Sequence, residues 1–484
     1  MRRALVLLGG LLALASGCGA ASSGSDPPAS ATRVPGDTRA HTLVSREGDG
    51  TFAAGPGEPF VRRGDPGRPV ATLATWAQLT DVHIRDVESP ARVPFLDRLG
   101  GPFSSTFRPQ EALTLQVLDA TVQTVDDLRP DSVVVTGDLA DNAQSDELAE
   151  ALRVLHGGTA TMDTGARGPG GPQVQSDPDP FFYRPDLDAP RHAGLLGRAD
   201  RPLRSPGLRA PWFALPGNHD LMVQGVVAPN AQLQRIATGD RRLVSLDLER
   251  LGALPRDESS LGRAVPELLR AGRTVHTAPD AGRRLLTPAD AEAMLRRASG
   301  HGAALSPGGR FDYAFDLSPR VRGIALDLVR RDQGSSGLVD AATLAFLRRA
   351  LAAAGSRPVV VFSHQALDRS QGGGAALALL RADPHVVALV SGDTHRNDIH
   401  RDGRLWSITT SSLIDWPQQA RAFRLVRTAG GGLALETWML DHGPGPDGLA
   451  SISRQLAYLD AQGGRPQGFA GRRADRNAVL GITP

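Results

Sequence analysis

Apolar residues along this chain come in two rhythms. Residues 72–79, 132–136, 212–215, 359–362 and 386–390 form runs of four to eight residues, and each leads within two residues into a Gly, Asp or His. Runs of that length, rich in β-branched or aromatic side chains and closed by a polar or turn residue, predict strands. Residues 110–128 and 340–354 instead repeat their apolar positions at the three-to-four spacing of a helix. Strands alternating with helices predict an α/β domain, whose polar side chains gather just past the carboxyl ends of the strands.

Other stretches carry neither rhythm or only the helical one. Residues 19–70 are rich in Ser, Gly, Pro, Ala and Asp and are expected to form a flexible tether. A second Pro/Gly/Asp-rich stretch, 157–210, predicts a long surface loop. From 225 to 306, Leu243, Leu246, Leu248 and Leu251, then Leu261, Val265, Leu268 and Leu269, recur near helical spacing with Arg and Glu between them. That pattern predicts an inserted helical cap within a domain spanning 71–445. Residues 446–484 are expected to be a tail with one helix, over 449–461. No internal repeat is found.

The N-terminus adds an address. Arg2 and Arg3 precede an apolar run over 4–14, too short for the ~20 residues that span a bilayer and suited to a secretory signal. Ala15-Ser16-Gly17-Cys18 resembles a bacterial lipobox, although Ala15 stands where such signals carry Leu. Residues 1–18 are therefore expected to direct export, with a lipid on Cys18 holding the protein outside the cytoplasmic membrane. The bland alternative is an ordinary cleaved signal with an incidental Cys. Cys18 is the single cysteine, so an intrachain disulfide and a Cys-based zinc site are both excluded. The 54 basic residues, all Arg, face 52 acids. A net charge of +2 gives no basic surplus for general nucleic-acid binding, and a nuclease is the weakest of the readings considered.

The strand ends carry the chemistry. They read Asp81-Val82-His83, Gly137-Asp138, Gly217-Asn218-His219-Asp220, His364, and Gly392-Asp393-Thr394-His395. Each offers oxygen or imidazole donors, a mixture that suits manganese, iron or zinc. Asp81 and His83, two residues apart, share one side of an extended chain. Asp138 follows a Gly that allows a tight turn, and its two oxygens can bridge two ions. Asn218 supplies a neutral oxygen. His219 is placed to donate a proton to a leaving oxygen, with Asp220 setting its tautomer. Any one of these pieces recurs by chance, but the ordered set of five does not.

In this order the motifs resemble the calcineurin-like metallophosphoesterase superfamily, and the match covers roughly residues 72–440. The resemblance implies a four-layer sandwich, with two packed mixed β-sheets flanked by helices. It implies one metal held by Asp81, His83, Asp138 and His395, and a second held by Asp138, Asn218, His364 and the residue at 393. It implies His219 as proton donor and hydrolysis of phosphomonoesters or phosphodiesters by a hydroxide held between the ions. The family has His where this chain has Asp393. Asp393 either ligates, making the second site harder and favouring manganese or iron, or points away. Residues 313–317 and 323–328 fit strands of the second sheet. Asn142, Arg396 and Asn397 are candidate phosphate contacts or loop-ordering residues, and 411–419 resembles a bacterial branch of the superfamily. The expected partners are a small phosphoester or an envelope phosphoester, and the membrane through the lipid. The rival reading is a catalytically degenerate surface lipoprotein that keeps the fold and binds an envelope partner.

Overall fold

Runs of Val and Ala with hardly a charge among them can serve only where both faces of a strand are covered. Val359–Ser363 and Val386–Ser391 are such runs and are buried at every position. The computed structural model describes residues 36–482, apart from 46, 102, 256, 258–259, 261–263, 265–271, 299–309, 333 and 466–468. The signal, Cys18 and the helix expected over 261–269 lie outside the described residues, save single positions of that last stretch.

Thirteen of the described strands form two mixed sheets. In chain order they are β1 (Val61–Arg63), β2 (Pro69–Leu79), β3 (Ser132–Val135), β4 (Trp212–Ala214), β5 (Tyr313–Ser318), β6 (Val321–Leu326) and β7 (Val359–Ser363). After these come β8 (Val386–Ser391), β9 (Asp398–Asp402), β10 (Leu405–Thr409), β11 (Gln419–Thr428), β12 (Leu433–Asp441) and β13 (Ala478–Ile482). The first sheet has the order β1-β13-β12-β11-β2-β3-β4, with β2, β3 and β4 parallel. The second has the order β5-β6-β7-β8-β10-β9, with β6, β7, β8 and β10 parallel.

The two sheets pack face to face over one core. Phe213 of β4 stacks on Phe315 of β5 with ring centroids 4.2 Å apart, and the Tyr313 hydroxyl donates to the Ala214 carbonyl at 2.8 Å. Helices Ala341–Ala354 and Gly373–Ala382 cover the outer face of the second sheet through Leu347, Leu377 and Leu380. Helix Thr114–Leu128 and helix Leu449–Gln462 pack together against the first sheet's side. The expected four layers are therefore present.

Three expectations need correction. The tether does not hold over 36–70: β1 pairs in parallel with β13, Asp37 bridges to Leu440, and the Arg39 guanidinium lies 4.0 Å from the Trp438 ring centroid. Three-residue strands and a cation–π anchor leave no periodic apolar signal to read. The insertion is not purely helical either. Arg241–Ser245 and Arg273–His276 form an antiparallel pair between helices Ala231–Ala237 and Pro288–Ala298. Leu243 belongs to that strand and Leu248 to a short helix, so the leucine spacing crosses an element boundary. The tail, finally, ends in β13, which lies between β1 and β12 within the first sheet. Among the described residues no helix is long and apolar enough to cross a membrane.

Candidate metal centre

Both sheets deliver side chains to one place, past the carboxyl ends of their parallel strands. β2 runs into Asp81 and His83, β3 into Asp138, β4 into Asn218 and His219, β7 into His364, and β8 into Asp393 and His395. Five of these residues have positive φ: Asp81 (52°), His83 (50°), Asp138 (53°), Asp393 (69°) and His395 (54°). Left-handed backbone at non-glycine residues costs of order 1 kcal/mol each, so the surrounding structure has to impose it. Paired amides impose it here, because the N–H groups of Val82 and His83 both donate to the Asp138 carbonyl at 2.9 Å. The idea that Asp81 and His83 share a side as extended residues is therefore wrong. They converge through two left-handed turns instead.

Close approach explains one glycine. A Cβ on Gly217 would lie 2.1 Å from Asp138 Oδ1, so the backbone after β4 can pass the carboxylate only without a side chain.

Asp138 is the junction. Its Oδ1 accepts the His219 backbone N–H at 2.8 Å, which leaves Oδ2 facing two imidazoles, His364 Nε2 at 3.2 Å and His83 Nε2 at 3.6 Å. On one side of it, Asp81 Oδ1 lies 3.4 Å from His395 Nε2, and His83 Nε2 lies 3.2 Å from His395 Nε2. On the other, His364 Nε2 lies 3.1 Å from Asn218 Oδ1 and 3.7 Å from Asp393 Oδ1. Ligand atoms of Asp81, His83 and His395 lie within 4.8 Å of one another, as do those of Asp81, Asp138 and His364. A third set, His83, Asp138 and His219, satisfies the same limit. All seven residues expected as metal ligands thus meet in one cluster, with Asp393 in it and not turned away.

Each ligating imidazole is oriented from behind. His364 Nδ1 pairs with the Thr136 carbonyl at 2.7 Å, His83 Nδ1 with Asp141 Oδ1 at 3.1 Å, and His395 Nδ1 with Asp415 Oδ2 at 2.6 Å. A bond at Nδ1 fixes the tautomer and turns Nε2 toward the centre. Behind the two carboxylates stand two arginines. Arg85 donates to Asp141 at 2.5 Å, and Arg108 grips both oxygens of Asp415, at 2.5 and 2.9 Å. These Arg–Asp–His relays were not foreseen. Asp141 lies just past Asp138 and Asp415 within 411–419, both outside the ligand motifs, and Arg85 and Arg108 carry no motif signal at all.

The electrostatics fit cations. Burial, joined by the charges of Asp81 and Asp138, pushes the Asp393 carboxyl up to about 7. Burial would lower His364 and His395, but the facing carboxylates prevail: His364 is held well above its usual value and His395 is raised to about 9. Burial pushes His83 down to about 4. Burial would raise Asp81 and Asp138 as well, but the facing imidazoles outweigh it and hold both carboxyls below their usual range, a balance in which divalent ions would take the place of the imidazole protons. Oxygen and imidazole donors in overlapping sets that share Asp81, His83 and Asp138 fit two such ions.

The chain resembles the calcineurin-like metallophosphoesterases in fold and in motif order. No protein-family model and no curated protein matches it. Among solved structures it is similar to a dimetal phosphatase from Danio rerio, at 13% identity and a TM-score of 0.40, over 77% of this chain and 100% of that one. It is also similar to a 5′-nucleotidase from Staphylococcus aureus, at 12% identity and TM-score 0.32, over 79% of this chain and 57% of that one. A third is the sulfate thiohydrolase SoxB from Thermus thermophilus, at 13% identity and TM-score 0.31, over 80% of this chain and 61% of that one.

Several expected roles do not survive the geometry. Asp220 does not orient His219. It is fully buried and accepts the backbone N–H groups of Ala140 and Gly217, both at 2.8 Å. His219 Nδ1 is held instead by the Asp141 carbonyl at 2.6 Å, with the Asp141 carboxylate 3.9 Å away. Asn142 accepts from Gln224 and bonds Gln144, and Asn397 accepts from Ser411 and Arg421, so both order loops and neither faces the centre. Arg396 is exposed and does not line the cavity over the centre.

Proposed function

We propose that the protein is a two-metal phosphoesterase, a phosphoric ester hydrolase acting on phosphomonoesters or phosphodiesters. The observation that carries this reading is Asp138 Oδ2, set between His83 on one side and His364 on the other, with ligand sets around each that also share Asp81. Two divalent ions bound there supply the charge that stabilises phosphoryl oxygens and acidifies water. Manganese and iron suit the Asp393 site better than zinc, because a carboxylate is harder than the imidazole it replaces.

The chain's own residues do the rest. Ester hydrolysis breaks the bond from phosphorus to the leaving oxygen, forms a bond from a water oxygen to phosphorus, and delivers a proton to the departing alkoxide. His219 is the donor. Its Nδ1–H is spent on the Asp141 carbonyl, so the proton it gives comes from Nε2. His219 and Asp393 face the opening, with side chains 19% and 26% exposed, whereas Asp81, His83 and Asp138 are at most 3% exposed.

The test is a titration of the mature protein with manganese, iron and zinc against bis-p-nitrophenyl phosphate and p-nitrophenyl phosphate. Hydrolysis that saturates at two metals per chain is expected. Metal binding without hydrolysis of either ester, rescued by Asp393→His, would overturn the enzyme and favour the degenerate lipoprotein. We further propose export and anchoring through a lipid on Cys18. Mass spectrometry of the N-terminal peptide from membranes tests this, and an unmodified Cys18 sinks it.

A further inference from the structure

The cavity over the metal centre has a second wall that the phosphoesterase reading does not use. It encloses about 420 Å³ and runs without interruption from His83, Asp138, His219 and His395 to a facing surface of Val93, Leu96, Phe103, Val223, Val226 and Val227. These apolar residues belong to a hydrophobic cluster built by 91–107 and the start of the insertion, distinct from the core between the sheets. Leu96 and Phe103 are 3% and 2% exposed and Val226 is half-buried, so the wall is packed from behind and offers one face to the cavity.

The cations on this cavity are already committed. Arg85 pairs with Glu111 and Asp141, Arg108 with Asp415, and Arg465 with Asp460. Two of the polar side chains on this cavity are also engaged, Thr106 donating to the Phe103 carbonyl and Gln224 to Asn142, while Ser104, Ser105 and Thr394 line it elsewhere than on the apolar wall. A chain of further phosphates would meet no uncommitted guanidinium among these three. A sugar or base laid against the apolar wall would displace water there without regaining its hydrogen bonds.

Resting on the phosphoesterase reading, we infer that the substrate is a phosphoester whose organic group is apolar, an alkyl chain or an aryl ring laid against Val93, Leu96, Phe103 and Val226. The phosphate sits at the metal centre and the apolar group fills the rest of the same cavity. Hydrolysis then releases the apolar alcohol past His219, whose proton completes it, and leaves phosphate, or a phosphomonoester if the substrate is a diester.

The experiment uses the metal-loaded full chain and a series of n-alkyl phosphates from methyl to hexyl, read by released phosphate, with glycerol phosphate and adenosine monophosphate as polar comparators. The corresponding alkyl p-nitrophenyl phosphates carry the same series for diesters. The value of kcat/KM is expected to climb about fourfold per methylene over the first few carbons, the factor that burial of one methylene provides. Val226→Ser, whose melting temperature is checked alongside, is expected to cut the hexyl ester more than the methyl ester and so flatten the slope. Hydrolysis that is flat with chain length, or that favours the polar comparators, overturns this inference and leaves the phosphoesterase standing. Failure to hydrolyse any ester, bis-p-nitrophenyl phosphate included, overturns both. If Val226→Ser does not fold, the wild-type series alone decides.

Discussion

The floor and the wall of the cavity are built on opposite physical principles. The floor is a cluster of seven polar side chains that repel or constrain one another. Five sit on left-handed backbone, three are carboxylates, and the imidazoles are held from behind by Thr136, Asp141 and Asp415. The wall is relaxed, a set of Val, Leu and Phe side chains backed by their own hydrophobic cluster. A strained polar floor makes sense only as a site for ions and reacting groups. A relaxed apolar wall selects by contact and contributes no chemistry. Substitutions should therefore separate cleanly: floor changes abolish turnover for every substrate, and wall changes re-rank substrates.

The largest separation is expected at Asp138. Asp138→Asn removes the charge shared by both ligand sets and should lower kcat by roughly a thousandfold or more for all esters alike, since the lost attraction to a divalent ion amounts to several kcal/mol. Metal content measured by mass spectrometry should fall with it. A variant that kept both metals and most of its rate would remove the junction from the account.

His219→Ala is expected to cost about 10²–10⁴-fold in rate while two metals stay bound, the usual range for losing a general acid. The geometry sharpens this test, because His219 also falls within one ligand set with His83 and Asp138. Metal loss would assign His219 to the ions and leave proton donation to another group.

A smaller effect should come from behind the floor. Asp415→Asn leaves the ring of His395 without its carboxylate partner and Arg108 without its counter-charge. A loss of about 10–100-fold in metal affinity is expected, seen as a rightward shift in the metal titration with kcat at saturation largely kept. If kcat fell at saturating metal, Asp415 would be touching substrate and not positioning a ligand.

Floor and wall also differed in legibility. The ligands lie in short contiguous motifs, each just after an apolar strand, so local spacing exposes them before any fold is known. What local spacing cannot show is which residues meet from afar. Asp415 reaches His395 from a loop 20 residues on, Arg108 reaches Asp415 across 307 residues, and Asp220 turned out to serve backbone amides and not its neighbour His219. The wall was invisible for a different reason. Val93, Leu96 and Phe103 sit in irregular and 3₁₀ structure with no period to read, and Val226 and Val227 lie at a turn that opens the insertion. The edges misread as tether and tail were lost the same way, since a three-residue strand such as β1 is defined by its partner and not by its own pattern.

The finest test of the contrast is the dependence of stability on pH. In metal-free protein the buried Asp393 carboxyl is pushed up to about 7, against about 4 in an unfolded chain. Below about pH 4 it is neutral in both states and costs nothing. As pH rises the unfolded chain ionises first, so folding loses stability steadily, and the loss is complete above about pH 7. Asp393→Asn cannot ionise and should lack that slope. Urea unfolding in chelator should find the variant's advantage at pH 8 larger than at pH 5 by on the order of 1–2 kcal/mol, discounted from the full shift for partial solvent screening. Val226→Ser, on the wall, should run parallel to wild type across the same range. Adding metal at pH 8 should reverse the order, because the ion now favours the charged carboxylate and stabilises wild type more than the variant. Parallel curves for all three proteins would mean that Asp393 ionises freely, and the floor would then carry less stored repulsion than its packing implies.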